Sequence, residues 1–312
     1  MLLPLLWLLK KKKLFFLLIF VLLLGWKHYR SYISIHPFAS HSEEKKSFRL
    51  MTYNVRVFNL YDWKKNVQWR KDIIHLIDSV NPDILCLQEY VYDDRKKFDT
   101  RDTIMEIGNY KYYKEYFSRQ NRYFHFGMAV FSRYPIISGD LIKFPNSLNS
   151  ASHSKVIINK DTVCLWNLHL QSIHIDKKEY YYLDSLSANI EEKHLNTTKE
   201  ILRKYKKAAL LREQQTLYVE DLIDNCKYPV IVCGDFNSAP SSYVYSKFIN
   251  SGLSDAFVEA GNGVGATYYR FKLPFRIDYV FYPKNLFNIF RCNVIKKNLS
   301  DHYPVVVDFE DK

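Results

Sequence analysis

The sequence predicts a layered α/β or α+β domain, and three observations support this class. Short runs of β-branched and aromatic residues recur after residue 48, with the lengths typical of strands in a packed sheet. Amphipathic helical patterns lie between these runs. Of the 312 residues, 47% are hydrophobic and 25% are charged, so the chain can bury a large core and is not intrinsically disordered over most of its length.

The predicted elements alternate along the chain. Strands are predicted over residues 49–57, 83–88, 127–132, 155–158, 162–169, 229–233, 277–282 and 303–309. Helices are predicted over residues 64–79 and 197–224, where apolar residues recur at three- and four-residue spacing opposite charged ones. Because strands and helices are mixed throughout, residues 49–312 are predicted to form one domain of catalytic size.

The amino-terminal 26 residues are predicted to be a membrane anchor or a signal. Four lysines at residues 10–13 precede an apolar run over residues 14–24. The run is shorter than the about 20 residues of a bilayer span, but flanking Gly25, Trp26 and Lys27 make an anchor feasible in a thin bilayer. An uncleaved single-pass anchor is favoured over a cleaved signal, with the catalytic domain outside the cytoplasm. Serine-rich residues 27–48 are interpreted as a linker.

The charge distribution argues against a long DNA-binding surface. The net charge is +12, but residues 1–49 carry nine Lys and Arg against two acids, which is +7. The remaining +5 lies on residues 50–312. A protein that follows a long DNA track needs a denser basic face.

The five cysteines are predicted to have no redox or metal role. Cys86, Cys164 and Cys233 lie within apolar runs, and no CxxC spacing occurs. We therefore predict core thiols, rather than metal ligands or disulfide partners, and the odd number of cysteines counts against an oxidising compartment. A metal site would then use oxygen and imidazole ligands.

Polar residues stand within or directly after the predicted strands, next to loops that commonly carry catalytic groups. Glu89 follows the apolar run 84–87, and it either faces a cleft or forms a strand-end salt bridge. Asn54 interrupts the first strand, where it either links two strands or holds a ligand, because an unpaired buried amide costs about 1–3 kcal/mol. His169 ends another strand, and a lone histidine at a strand end more often has a structural role than a catalytic one.

Two further segments combine acids with an amide or an imidazole. After the buried strand 229–233, Gly234 permits a tight turn, and Asp235 and Asn237 lie two residues apart. The acid and the amide either hold a water molecule for reaction or form an Asx turn that caps a helix near residue 241. Asp278 interrupts an apolar strand, and a buried carboxylate needs a partner. His302 is the predicted partner, with Asp301 beside it.

Six motifs in this order, TYNV, LQE, NLHL, GDFN, RIDYVF and SDHYPV, resemble those of the endonuclease/exonuclease/phosphatase superfamily, to which pancreatic-type deoxyribonuclease belongs. The resemblance covers some 250 residues. It implies a four-layer sandwich, in which two mixed β-sheets pack face to face between outer helices. It also implies hydrolysis of a phosphate ester with a divalent metal, usually Mg²⁺, with Mn²⁺ as an alternative.

The resemblance assigns roles residue by residue. It implies that Glu89 is the principal metal ligand, supported by Asn54 and by Asp301 from across the cleft. Asp235 would orient or deprotonate the attacking water. The other implied catalytic residues are Asn237, which fixes the water or phosphate, His169, which stabilises charge on phosphorus, and His302 paired with Asp278, as a base or a phosphate-binding cation.

The expected activity is that of a phosphodiesterase acting on nucleic acid or on a phospholipid head group. The alternatives are a phosphomonoesterase of inositol-phosphate type and a non-catalytic module that binds phosphorylated ligands. Arg56 stands where abasic-site nucleases tend to have an acid, which argues against that branch. The flanking loops, residues 90–102, 117–124 and 174–196, match no branch, and no protein partner is inferred.

Overall fold

The structure, a computed structural model, describes residues 12–36, 47–60, 66–97, 99–173, 179, 182, 192–270 and 275–312. Its helices are α1 (Lys12–Leu24), α2 (Trp26–Arg30), α3 (Asn66–Val80), α4 (Thr100–Ile107), α5 (Glu192–Asp224), α6 (Tyr243–Asn250) and α7 (Ala256–Ala260). A 3₁₀ turn spans Arg56–Asn59.

Fourteen strands are found in the described part of the chain. They are β1 (Ile33–Ile35), β2 (Ser47–Asn54), β3 (Ile84–Asp93), β4 (Tyr112–Gln120), β5 (Phe124–Ser132), β6 (Ile136–Lys143), β7 (Ser150–Ile158), β8 (Asp161–His169), β9 (Val230–Asp235), β10 (Ser254–Asp255), β11 (Asn262–Val264), β12 (Asp278–Tyr282), β13 (Phe287–Val294) and β14 (Val305–Asp311).

Two six-stranded sheets form the body of the domain. The first has the order β13-β14-β2-β3-β5-β4, and the second has the order β10-β12-β9-β8-β7-β6. Each sheet is mixed, because β2–β3 and β8–β9 are parallel pairs and the other neighbours are antiparallel. Both parallel pairs lie in the middle of their sheets, so each sheet has two central strands that run in the same direction.

Side-chain alternation along the strands creates the layers. In β2, Leu50 packs between the sheets while Met51 packs toward α3; in β8, Leu165 packs between the sheets while Trp166 packs toward α5. One apolar cluster therefore fills the space between the sheets, and one lies on each outer face under helices. This is the predicted four-layer sandwich, and the predicted fold class is confirmed.

The predicted elements largely match the observed ones. The two predicted helices correspond to α3 and α5, and all eight predicted strands are present. The first strand ends at Asn54, earlier than predicted, because residues from Arg56 onward turn with positive φ angles. Strands β1, β4, β6, β10, β11 and β13 were not predicted. Strands β1, β10 and β11 span only two or three residues, and β4, β6 and β13 are partly exposed and carry no continuous apolar run.

The predicted membrane anchor is wrong. Among the described residues no helix has the length and apolar character needed to cross a membrane. The predicted location of the catalytic domain outside a membrane therefore has no structural basis. The lysines and leucines before Lys12 lie outside the described residues.

Part of the segment interpreted as a linker packs on the domain. Ile33–Ile35 pairs antiparallel with Asn262–Val264. The buried guanidinium of Arg276 donates a 2.6 Å hydrogen bond to the Ser31 carbonyl oxygen. Residues 31–35 are thus joined to the folded domain, whereas residues 37–46 lie outside the described part.

One cysteine prediction is also wrong. Cys164 forms a disulfide with Cys226, which follows the end of α5. Cys164 points to the helical side of its sheet, where Cys226 can reach it, and this contact spans 62 positions that no local pattern connects. Cys86 and Cys233 are buried free thiols, as predicted.

Candidate active site

Strand alternation brings the polar residues of both sheets to one edge of the layer between them. Asn54 ends β2 and His169 ends β8, on the same strand faces as the apolar residues that fill this layer. Asp235 ends β9, and Asp278 begins the antiparallel strand β12 directly opposite it. Because the two sheets face each other, these four side chains converge from opposite sides.

The Asn54 amide connects the two sheets at this edge. Asn54 Nδ2 donates hydrogen bonds to Glu89 Oε1 (3.3 Å) in its own sheet and to Asp235 Oδ2 (3.0 Å) in the other. The partners lie 35 and 181 residues away in the sequence. Glu89 and Asp235 therefore share one pocket.

Glu89 is directed into the pocket by a β-bulge. The pairing of β3 with β5 shifts between Leu87 and Tyr90, and Glu89 has a φ of 50°, a left-handed conformation that is rare for a glutamate. Loss of hydration raises the pKa of Glu89, and repulsion from Asp301 raises it further, against the opposing effects of His302, Asn54 and Arg56. Backbone strain and an unfavourable carboxylate at one position are typical of functional sites.

Asp278 and His302 form the predicted buried pair. His302 Nδ1 lies 2.9 Å and 3.1 Å from the two Asp278 oxygens, and its Nε2 lies 3.6 Å from Asp235 Oδ2. Burial by itself lowers the pKa of His302, but the carboxylates of Asp278 and Asp235 outweigh it and raise the pKa to about 10. The imidazole is therefore a cation at neutral pH, held in one orientation by Asp278.

Asp235 accepts hydrogen bonds from both Asn54 and Asn237. Its Oδ1 accepts a 2.9 Å hydrogen bond from the Asn237 backbone N–H, in an Asx-type turn. Burial raises the pKa of Asp235 to about 6, against the lowering effect of His302. The helix that follows is capped by Ser242, whose side chain accepts from Tyr245 N–H, so the turn at Asp235 is not its cap.

His169 and Asn237 complete the second sheet's side of the pocket. His169 Nε2 lies 3.8 Å from Glu89 Oε1 and 3.7 Å from Asp235 Oδ2, and among the described residues it has no hydrogen-bond partner. Burial lowers the pKa of His169, so this imidazole is neutral at pH 7. Asn237 Nδ2 donates a 3.0 Å hydrogen bond to the Leu170 carbonyl oxygen, which fixes its amide beside the end of β8.

Asp301 lies on the basic side of the pocket. Its Oδ2 is 3.4 Å from Arg56 Nε and 3.4 Å from Arg270 Nη1. The preceding residue, Ser300, donates a 2.8 Å hydrogen bond from its hydroxyl to the Asn54 carbonyl oxygen. The segment before β14 is thereby attached to the end of β2, which brings Asp301 and His302 to the same pocket.

Comparison with known proteins agrees with this arrangement. Residues 51–302 match the sequence profile of the Endonuclease/Exonuclease/phosphatase family. The chain belongs to this family. The matched region begins in β2 and ends at His302, so it includes every residue of the pocket described above. A comparison with curated protein sequences finds no match.

Solved structures of the endonuclease/exonuclease/phosphatase family share the fold. The catalytic domain of human Nocturnin, solved with a bound sulfate anion, is 20% identical, with a TM-score of 0.59 over 88% of this chain and 98% of that one. A truncated TDP2 of Caenorhabditis elegans is 21% identical, with a TM-score of 0.55 over 85% and 97%. A family protein of Leptotrichia buccalis is 16% identical, with a TM-score of 0.60 over 84% and 99%. At these identities the likeness concerns the fold.

The donor set of this family member fits a hard divalent cation. Glu89 and Asp235 supply carboxylate oxygens around the Asn54 amide, and both have raised pKa values, so added positive charge would stabilise their ionised forms. In the described part of the chain, ligand atoms of Asp235, Asp278 and His302 also lie within 4.8 Å of one another. Because His302 holds a proton and faces Asp278, the carboxylates are the better Mg²⁺ ligands.

Two features of this site escaped the sequence analysis. Thr267 Oγ1 accepts 3.0 Å hydrogen bonds from the backbone N–H groups of Ile277 and Asp278, and a single buried threonine gives no sequence signal. The Tyr268 ring packs edge-on against His302, with centroids 4.9 Å apart. Both residues fix the Asp278–His302 pair from a segment with no recognisable motif.

Proposed function

We propose that this protein is a divalent-metal-dependent phosphoesterase that hydrolyses a phosphodiester by in-line attack of water. The observation that carries the proposal is the shared Asn54 amide, which keeps the Glu89 and Asp235 carboxylates in one pocket with the imidazoles of His169 and His302. Family membership supports hydrolysis of a phosphate ester. Metal dependence and the diester preference are our inference from the donor set.

Glu89 would hold Mg²⁺, with Asn54 and Asp301 supporting it. When bound, the ion would polarise a phosphoryl oxygen and add positive charge where the reaction accumulates negative charge. The Asn54 amide donates to both carboxylates and so keeps them apart at a fixed separation. Asp301, paired with Arg56 and Arg270, adds a further carboxylate.

Asp235 would take the proton of the attacking water. Its raised pKa of about 6 makes it a stronger base than an ordinary aspartate, and it is still ionised at neutral pH. Asn237 keeps the carboxylate oriented through its backbone N–H and has a second amide hydrogen for the water or the phosphate.

The two histidines would serve the phosphoryl group differently. His302 is cationic and is held by Asp278, so it would bind a phosphoryl oxygen or protonate the leaving oxygen. His169 is neutral, and its buried Nε2 is near both carboxylates, so it would donate a hydrogen bond to the phosphoryl group as charge develops.

The substrate class is inferred from charge. The modest charge of residues 50–312 favours a diester of nucleic acid or of a phospholipid head group without a long DNA track. Sulfate bound to the human Nocturnin domain has the tetrahedral shape and charge of a phosphate group. A phosphomonoesterase of inositol-phosphate type is the second candidate. A non-catalytic phospholigand-binding module is disfavoured, because the full set of polar residues is retained.

An activity screen tests the proposal. The full chain is assayed with Mg²⁺, Mn²⁺ or EDTA on duplex DNA, RNA, sphingomyelin vesicles and inositol phosphates, with bis(p-nitrophenyl) phosphate and p-nitrophenyl phosphate as generic diester and monoester. We expect diester turnover that EDTA abolishes. Glu89→Gln and His302→Gln should each lower kcat/KM at least about 100-fold.

Matched controls make the same chemical changes on the surface. Glu106→Gln on α4 and His75→Gln on α3 alter exposed side chains that are not part of the pocket and should keep full turnover. If both site variants, folded as judged by circular dichroism, retain metal-dependent turnover, the proposal is wrong. If the wild type binds phosphorylated ligands without any turnover, the binding-module alternative replaces it.

A further inference from the structure

A second cluster of metal-ligating side chains lies on the outer face of the second sheet. Cys164 on β8 and His153 on β7 approach the region where Cys226 follows the end of α5. Ligand atoms of these three residues lie within 4.8 Å of one another, which makes them one of two such groups in the described part of the chain. The other group belongs to the candidate active site, on the opposite face of the strands.

The sulfur atoms of this cluster are joined as a disulfide in the structure. The third member has no role in that bond. His153 Nε2 is buried and, within the described ranges, has no hydrogen-bond partner. Its ring stacks on Trp166, with centroids 4.7 Å apart and an interplanar angle of 26°. An imidazole held by this stacking, together with two sulfurs, is the donor set of a soft metal site.

We propose that the reduced form of the protein binds Zn²⁺ through Cys164, Cys226 and His153. Two thiolates and one imidazole, with water in the fourth position, form an established tetrahedral zinc donor set. The disulfide and the zinc site exclude each other because both use the same two sulfur atoms. The separation of the Cys164 and Cys226 Cα atoms, 6.9 Å, is compatible with two thiolates that each lie about 2.3 Å from one ion.

The surroundings favour the ligating form of the histidine. Burial and the neighbouring Lys155 lower the pKa of His153, so the ring is neutral at pH 7 and keeps a lone pair for the metal. Binding releases the two thiol protons, since the ligands are thiolates. The cost of deprotonating buried thiols is offset by the positive charge of the ion.

The site would connect the end of α5 to β8. Helix α5 carries Gln215, whose side chain accepts a 2.8 Å hydrogen bond from the Gln171 N–H, and Arg212, which donates a 2.9 Å hydrogen bond to the Gln171 carbonyl oxygen. Gln171 lies two residues beyond His169 of the candidate active site. Either the disulfide or the zinc ion would thus attach α5 to β8, and α5 supports the end of that strand.

Cobalt substitution tests the proposal. The full chain is treated with EDTA and with a phosphine, which breaks the S–S bond, leaves one proton on each sulfur and is itself oxidised to the phosphine oxide with the oxygen of water. After removal of EDTA, Co²⁺ should give a near-ultraviolet thiolate-to-metal charge-transfer band at one ion per chain, and Zn²⁺ should displace it. The oxidised protein should give no band.

Variants distinguish this site from every other cysteine and from the carboxylate pocket. Cys226→Ser should abolish the band, and His153→Gln, which keeps both sulfurs, should weaken Co²⁺ binding at least about tenfold. The matched control Cys292→Ser should keep the band, as should Glu89→Gln. A reduced wild-type protein without the band, or a band that survives both Cys226→Ser and His153→Gln, would overturn the proposal.

Discussion

Nδ1 of His302 lies 2.9 Å from Oδ2 of Asp278, and both side chains are almost fully buried. A buried carboxylate without a partner is strongly destabilising, so the pair satisfies a structural requirement as it orients the imidazole. The same contact directs His302 Nε2 toward Asp235, 3.6 Å away. One contact therefore both satisfies a buried carboxylate and orients an imidazole of the candidate active site.

Asp278→Asn should lower the pKa of His302 from about 10 toward its ordinary value, because the nearest carboxylate charge is lost. The raised pKa stabilises the folded protein fully below pH 6.5, the unfolded value, and this contribution disappears as the pH rises toward 10. The free energy of unfolding should therefore fall less between pH 6.5 and 10 in the variant. Imidazole NMR titration of the metal-free protein measures the shift, with exposed His75 as the internal control. A His302 resonance that still titrates near pH 10 would contradict the assignment.

Glu89→Gln should stabilise the metal-free protein while it removes activity. The pKa of Glu89 is raised by burial and by repulsion from Asp301, so its ionised form opposes folding at neutral pH, and the uncharged amide does not. We expect a melting temperature a few degrees above that of the wild type in EDTA. The wild type alone should gain stability from Mg²⁺. The control Glu106→Gln should change neither the melting temperature in EDTA nor the stabilisation by Mg²⁺. A Glu89→Gln protein less stable than the wild type in EDTA would contradict the electrostatic explanation.

Gln88 and Asn167 form a buried polar link between the two sheets. Gln88 Nε2 donates to Asn167 Oδ1 (2.6 Å) and to Thr52 Oγ1 (2.9 Å), and Asn167 Nδ2 donates to the Leu87 carbonyl oxygen (3.0 Å). Asn167→Leu should lower the free energy of unfolding by about 1–3 kcal/mol, because it leaves buried partners unpaired.

A double-mutant cycle isolates this link. Gln88→Leu combined with Asn167→Leu should cost less than the sum of the single changes by at least about 0.5 kcal/mol, measured by urea unfolding. Asn167→Leu combined with Gln68→Leu, on the exposed face of α3, should be additive. Additivity in the first pair would show that the two side chains are not energetically coupled.

Thr267→Val tests whether the hydrogen bonds from the backbone at Asp278 to Thr267 affect stability and turnover. The substitution keeps the shape of the side chain but removes the acceptor of two backbone N–H groups. We expect a loss of about 1–3 kcal/mol in the free energy of unfolding, and a lower kcat. Thr216→Val, in the buried part of α5, removes a hydroxyl that donates to the Arg212 carbonyl oxygen, and it should leave kcat unchanged. An unaffected kcat in Thr267→Val would limit this threonine to a structural role.

Local sequence was sufficient for much of the architecture. The alternation of Leu50, Thr52 and Asn54 with Met51 and Tyr53 assigns each residue to one face of β2, and the same rule places Asp235 and Asp278 between the sheets. The buried Asp278 required a partner, and His302 was predicted correctly. The roles assigned to the site residues stay predictions until activity is measured.

Other features depend on contacts that no local pattern contains. The membrane anchor was predicted from a hydrophobic run, but among the described residues no helix is long and apolar enough to cross a membrane. The disulfide partner of Cys164 lies 62 residues along the chain, and the role of Thr267 depends on how a loop packs on β12. The positive φ angle of Glu89 arises from a one-residue shift against β5.

The strand faces, the layered class and the set of polar residues followed from local sequence, because side-chain alternation and the cost of burying charge act over a few residues. Which groups meet depended on long-range packing. Asn54 reaches Asp235 across 181 positions, and Glu89 enters the pocket through a bulge. Such contacts are set by the packing of one sheet on the other, which depends on the whole chain.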